Sequence, residues 1–274
     1  MAGCQPWALK LEGFDVYLKG VLTSDKDIVH MKSVAKKYCD ILTTGNASDL
    51  HPLTKDVRRN AMRSLAHLAK FNGCYEQWQR IVKANGLKWK QADDNFNFFE
   101  KEDVTEMLDY VKRIINQYPG ECANTFIVAT LTGLRADEAC QAIRLIKEGA
   151  KGYYNAEYGV LEHFRFKDVF IRRSKKAFIS LVDEDLLEIA RDSCDSWKAI
   201  RSRLKRDEIE MRMSYCRKIF GTWLRQKGIE TELIDLLQGR TPPTVFARHY
   251  YRPSFAKENQ RIRDIIALLH REIS

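Results

Sequence analysis

The sequence predicts a mainly α-helical chain with one small antiparallel β-sheet, divided into two domains. Three observations carry that expectation. Apolar residues recur at three- and four-residue spacing along most of the chain. The period turns extended only between residues 160 and 182, where β-branched and aromatic residues gather. A polar stretch without periodicity, Gln91-Ala92-Asp93-Asp94-Asn95, reads as a linker.

In chain order, Ile28, Met31, Val34, Ala35, Tyr38, Ile41 and Leu42 form a first helical stripe, ended by Thr44-Gly45-Asn46. Leu53, Val57, Ala61, Leu65, Leu68 and Ala69 form a second, closed by Asn72-Gly73. Tyr75, Trp78, Ile81 and Val82 form a third, closed by Asn85-Gly86. Together they make a small helical domain over 1–90, with the linker at 91–98 and a second domain over 99–274. Val104, Met107, Leu108, Val111, Ile114 and Ile115 give a strongly periodic helix, with Glu100, Glu102 and Asp103 at its positive end. A helix from Cys122 to Leu131 follows, and another starts near Asp137. Val160–Phe166, Lys167–Arg172 and Ala177–Val182 read as extended, with Arg173-Ser174-Lys175-Lys176 as a hairpin turn. Helices resume from Asp183 to Gly228. Two short helices and an amphipathic last one follow, the last with Ile262, Ile265, Ile266, Leu268, Leu269 and Ile273 on its apolar face. That face can pack within the chain or into a neighbouring subunit. Trp78, Trp89, Trp197 and Trp223 read as core anchors, and Tyr153, Tyr154 and Tyr158 as loop or packing aromatics.

Composition excludes several classes. The 274 residues are 45% hydrophobic and 30% charged, enough for a packed core. Mean hydropathy is −0.42, and no run approaches the roughly 18 apolar residues of a membrane span. Met1–Lys10 lacks the pattern of a secretory signal, so a cytoplasmic protein is expected. Seven cysteines, none in CxxC spacing, argue against a disulfide framework or zinc site and fit buried thiols. The net charge is +9 but uneven. Residues 1–90 carry 15 basic and 8 acidic groups, 91–150 carry 6 and 11, and 151–274 carry 25 and 18. Two basic blocks around an acidic one fit a polyanion held by two surfaces, and on charge alone fit an ordinary basic surface equally well. In the first block Lys32, Lys36, Lys37, Arg58, Arg59 and Arg63 are the candidate phosphate contacts.

No glycine-rich phosphate loop, HExxH or GxSxG is present, so no cofactor or metal is expected. What remains is a series of cations at element ends, followed by tyrosines. Arg135 follows Thr132-Gly133-Leu134, with Glu138 three residues on. Lys175 and Lys176 lie at the hairpin turn. Arg217 sits in Ser214-Tyr215-Cys216-Arg217-Lys218, and Arg240 ends Gln238-Gly239-Arg240. Tyr250 and Tyr251 lie in Arg248-His249-Tyr250-Tyr251-Arg252.

Thr132-Gly133-Leu134-Arg135-Ala136-Asp137-Glu138 resembles the TGLRxxE box of the tyrosine recombinases, the phage-type integrases. The basic hairpin, the arginine box, the glycine box and the late tyrosine follow in that family's order. Their variant forms are most similar to the integrases of archaeal viruses and plasmids, which implies an archaeal mobile element as source. The resemblance covers roughly 95–274; the first domain resembles the family's core-binding domain only in position, charge and helicity.

The resemblance implies a C-shaped clamp around a double-stranded DNA attachment site, tetrameric on DNA and possible as a monomer without it, with no role for a membrane. It implies site-specific cleavage and rejoining through a 3′-phosphotyrosine, without metal or ATP. Tyr250 is then the nucleophile, with Tyr251 the competing register. Arg135 and Arg217 clamp the phosphate oxygens, and Lys175, or Lys176, protonates the leaving 5′-oxygen. Glu138 orients Arg135. Two positions depart from the common pattern: Ser214 stands where the family usually has His, and Arg240 where it has His. Arg240 can bond a phosphate but is a poor base. His249 neighbours Tyr250 in sequence but points elsewhere on a helix, so a tyrosine pKa lowered by the arginines is the simpler expectation. The rivals are a nicking-closing enzyme of the type IB topoisomerase class and a non-catalytic DNA-binding protein that kept the fold.

Overall fold

A computed structural model describes residues 9–22, 24–89, 103–172, 175–240 and 255–274. The chain divides into two compact units, Met1–Phe99 and Glu100–Ser274. The expected linker lies outside the described residues.

The first unit is helical: α1 (Phe14–Val21), α2 (Asp25–Tyr38), α3 (Asp40–Thr44), α4 (Lys55–Phe71) and α5 (Tyr75–Ala84). Ser24 caps α2 by accepting from the Asp27 N–H. Phe14, Leu18, Met31, Leu65, Leu68 and Trp78 are buried together. Two sequence expectations need correction. Val57 is 48% exposed, and the buried face of α4 runs through Ala61, Met62, Leu65, Leu68 and Ala69 instead. Trp89 is 45% exposed, because α5 ends at Ala84 and Leu87 takes the buried position beyond it.

The second unit is built around α7 (Glu121–Thr132), which is buried from Cys122 to Thr132 apart from the half-buried Asn124. Against it pack α6 (Val104–Gln117), α8 (Ala136–Lys147), α10 (Glu184–Arg191), α12 (Ser214–Gln226) and α14 (Phe255–Ile273). Between α8 and α10 lie β1 (Tyr154–Asn155), β2 (Val160–Leu161), α9 (Lys167–Phe170) and β3 (Ser180–Leu181). α11 (Trp197–Arg206) packs on α8, and α13 (Thr231–Leu237) packs on α12. The sheet is antiparallel in the order β1-β2-β3, with Val160 opposite both Asn155 and Leu181. The architecture is therefore mainly α with a small antiparallel sheet. One of the two short helices expected before the last one is α13; the other falls outside the described residues.

The extended expectation for Lys167–Arg172 is overturned in part. Lys167–Phe170 is a helical turn, with the Phe170 N–H bonded to the Phe166 carbonyl at 3.0 Å. Packing outweighs β propensity here. The turn drives Phe170 into the core, where its ring lies 4.5 Å from that of His163 and stacks on Tyr153. The strands themselves are only two residues each. A short hairpin survives beyond α9: Ile171 bridges Lys176, and the Arg172 N–H donates to the Lys175 carbonyl at 2.9 Å.

The last helix packs within its own chain. Ile262, Ile265, Ile266, Leu269 and Ile273 are buried, while Leu268 is 45% exposed and leaves the apolar face assigned to it. Trp223 of α12 donates its indole N–H to the Ile265 carbonyl at 3.2 Å. Among the described residues the thiols of Cys74, Cys122, Cys140 and Cys216 are buried and free; Cys39 and Cys194 are free and half-buried. No helix among the described residues is long and apolar enough to cross a membrane.

Candidate active site

The end of α7 sets the site. Gly133 closes the helix with a φ of +64°, a conformation that favours glycine. A Cβ there would also lie 2.4 Å from the Phe220 ring. The sharp turn buries Leu134 and makes Arg135 the residue that starts α8. Glu138, 1% exposed, reaches back one turn. It accepts the Arg135 N–H at 3.1 Å on one oxygen and the Arg135 Nη1 at 2.8 Å on the other. The guanidinium is thus aimed by a buried carboxylate, as in the charge-assisted pairs that fix side-chain direction.

Glu138 has a second partner that the sequence did not indicate. Arg172, at the base of the hairpin, donates its Nη2 to the same oxygen at 3.2 Å. Arg135 Nη1 also donates to the Lys176 carbonyl at 3.2 Å. The hairpin is therefore seated on Arg135 and Glu138 together. Gly239 holds its other side. At a φ of +62°, a Cβ on Gly239 would lie 1.8 Å from the Lys176 oxygen. Lys175 is exposed and Lys176 half-buried, and both lie next to that joint.

Arg217 lies in the first turn of α12 and ties the boxes together. Its Nη1 donates to the Gly133 carbonyl at 2.8 Å, and its Nη2 donates to the Gln238 carbonyl. Gln238 returns the contact, its Nε2 donating to the Arg217 carbonyl at 2.7 Å. Burial, then the nearby Arg135, and more weakly Arg240, press the Arg217 pKa down to about 10, against the pull of Glu138 and Asp235. It stays protonated at neutral pH. An anion placed here would relieve this strain between like charges. Arg240, 56% exposed, pairs with Asp235 at 3.0 Å across α13. Ser214 is exposed at the start of α12.

Arg135, Glu138, Arg217, Lys176 and Arg240 thus belong to one corner, with Lys175 on the hairpin beside it. Tyr250, Tyr251 and His249 lie outside the described residues. An open groove of about 430 Å³ leads from Arg217 between α12 and α13, past Lys218, Arg225, Asp235 and Arg240. A larger cleft of about 720 Å³ has four carboxylates in its lining, from Glu106, Asp109, Glu208 and Glu210. That is the wrong sign of charge for a polyanion. Among the described residues no cluster of His, Cys, Asp or Glu suits a metal ion.

The first-unit candidates are spread over α2 and α4, which pack together. Lys36 and Arg63 are exposed, and Arg58 is half-buried. Lys37 lies over the Tyr38 ring. Lys32 and Arg59 form surface ion pairs with Asp15 at 3.5 Å and Asp56 at 2.9 Å. Such pairs are weak and open readily to a competing phosphate.

A mainly helical unit with a small antiparallel sheet, its arginine boxes joined at one helix corner, defines a protein of the tyrosine-recombinase type. The chain belongs to the archaeal phage integrase family, whose model matches residues 97–260. No curated protein matches the chain.

Proposed function

We propose that this integrase-family protein is a site-specific recombinase that cuts and rejoins DNA through a 3′-phosphotyrosine on Tyr250. The observation that carries this reading is the union of Arg135 and Arg217 at the Gly133 turn, where each guanidinium is already oriented by protein acceptors. Preorganised cations of this kind stabilise charge that develops in a transition state without reorganising.

The Tyr250 hydroxyl, acidified by the arginines around it, releases its proton to water, and its oxygen attacks the scissile phosphorus. The bond from phosphorus to the 5′-oxygen breaks, and Lys175 gives that oxygen its proton. Arg135, Arg217 and Arg240 hold the non-bridging oxygens as charge builds on them. Rejoining is the reverse attack by a 5′-hydroxyl, so the bond energy is conserved in the adduct and neither ATP nor metal is required. The partner is a double-stranded attachment site, bound by Lys32, Lys36, Lys37, Arg58, Arg59 and Arg63 of the first unit and by the second. A tetramer on DNA completes the exchange.

Covalent trapping tests the reading. Protein is mixed with plasmid carrying a candidate attachment region and quenched with SDS, with Tyr250→Phe and Tyr251→Phe in parallel. An adduct lost only in Tyr250→Phe is expected. Loss only in Tyr251→Phe moves the nucleophile by one residue. No adduct on a nicked, verified site favours a DNA-binding protein without the chemistry.

A further inference from the structure

α11 carries a charge pattern that the corner described above does not use. It has ten residues, five of them basic and none acidic. Ile200 and Leu204 anchor it in the core. Trp197, Arg201 and Lys205 follow one another at four-residue spacing and so share one face. That face forms a wall of an open groove of about 470 Å³, floored by Met211 and Met213. The groove ends on Ala136 and Ser214. Ala136 is the neighbour of Arg135, and Ser214 lies three residues before Arg217, so the groove abuts the arginine corner.

The charges in this groove are uncompensated. Neither Arg201 nor Lys205 has an ion-pair partner among the described residues, and the Trp197 indole N–H meets no acceptor there. The one carboxylate in the lining, Glu210, is engaged by Arg212 through Nε at 3.0 Å and Nη2 at 2.9 Å. The wall is therefore cationic, with an apolar floor and free donors. This is the complement of a phosphodiester strand with its sugars.

We propose that this groove seats the DNA strand next to the scissile phosphate, with Arg201 and Lys205 each pairing with a backbone phosphate beside Trp197. The contact is a positioning one and carries no base readout. Its place beside the scissile phosphate rests on the function proposed above.

The test uses the full chain and a labelled duplex of arbitrary sequence, with affinity measured by anisotropy over a salt titration. Each phosphate contact contributes about 0.9 to the slope of log affinity against log salt, so Arg201→Gln/Lys205→Gln should lower the slope by about 2. Lys198→Gln removes one charge from the same helix but lies outside the groove, and should leave the slope unchanged. All three side chains leave the core, and thermal unfolding checks that the fold is intact. An unchanged slope in the double variant overturns the proposal. So does an equal drop per charge in Lys198→Gln, which would reduce the stripe to net charge. Covalent trapping of the parent reads the chemistry separately. A lowered slope without any adduct leaves the groove standing and sinks the recombinase chemistry; an adduct with an unchanged slope does the opposite.

Discussion

Arg217 donates to the carbonyl of Gly133 at 2.8 Å, which fastens the first turn of α12 to the turn that launches Arg135. Two residues 82 positions apart in the chain thereby share one scaffold. Their guanidiniums are close enough for Arg135 to help depress the Arg217 pKa to about 10.

If that corner holds the transition state, losing one guanidinium should slow cleavage more than binding. Arg135→Ala and Arg217→Ala should each lower single-turnover cleavage by about 10²–10³-fold. Duplex affinity should change only a few-fold. Quench-flow cleavage beside anisotropy separates the two, and equal losses in both would make the arginines binding residues only.

Glu138 holds Arg135 and Arg172 at once, so its removal should misplace both the guanidinium and the hairpin. Glu138→Gln is expected to cut the cleavage rate by about 10–100-fold, the usual scale for a positioning partner. Arg172→Gln should give part of that loss. In a double-mutant cycle the two should be non-additive, and strict additivity would deny that they act through one contact.

Gly239 meets the Lys176 carbonyl so closely that no side chain fits. Gly239→Ala also places a non-glycine residue at a positive φ, a strain of about 1–3 kcal/mol. The melting temperature should fall and cleavage should drop as the hairpin lysines are displaced. A fully active, fully stable Gly239→Ala protein would show that the hairpin need not sit there.

His163 is fully buried between the Tyr153 hydroxyl at 2.9 Å and Ser180 Oγ at 2.8 Å, and burial lowers its pKa from 6.5 to about 3. The unfolded chain therefore binds a proton below pH 6.5 that the folded chain refuses. The stability gained from a neutral His163 is complete above that pH and is lost as pH falls toward 3, by about 1.4 kcal/mol per unit. Urea unfolding between pH 6 and 5 should show this slope in the parent. In His163→Gln the slope should flatten by one proton, on a lower stability at neutral pH. Parallel curves for the two proteins would contradict the assignment.

Much of this was readable in the sequence because it is local. The Thr132-Gly133-Leu134-Arg135 box encodes its own turn: a helix end, a left-handed glycine, a buried leucine and a charge at the next helix start. The helical stripes were visible because burial on α4, α6 and α14 follows the helical period. The misses are tertiary. Arg172 finds Glu138 across 34 positions, which no spacing rule predicts. Phe170 is taken into a helical turn by Tyr153 and His163, against its β-rich surroundings. α1 has no periodic stripe in the sequence, because only Phe14 and Leu18 mark its buried side. Val57 and Leu268 fit the period of their stripes but fall at the solvent edge. The Trp197, Arg201 and Lys205 face is visible at four-residue spacing, yet only the groove beside it gives the pattern meaning.

The most direct measurement is to locate the covalent bond. A nicked substrate that traps cleaved product is incubated with the protein, the DNA is digested, and the nucleotide-bearing peptide is sequenced by tandem mass spectrometry. A nucleotide on Tyr250 through a 3′-phosphate, formed by the parent and greatly diminished in Arg217→Ala, is the predicted result. Cleavage with no tyrosine-linked nucleotide, or a linkage at a residue other than Tyr250, would contradict it.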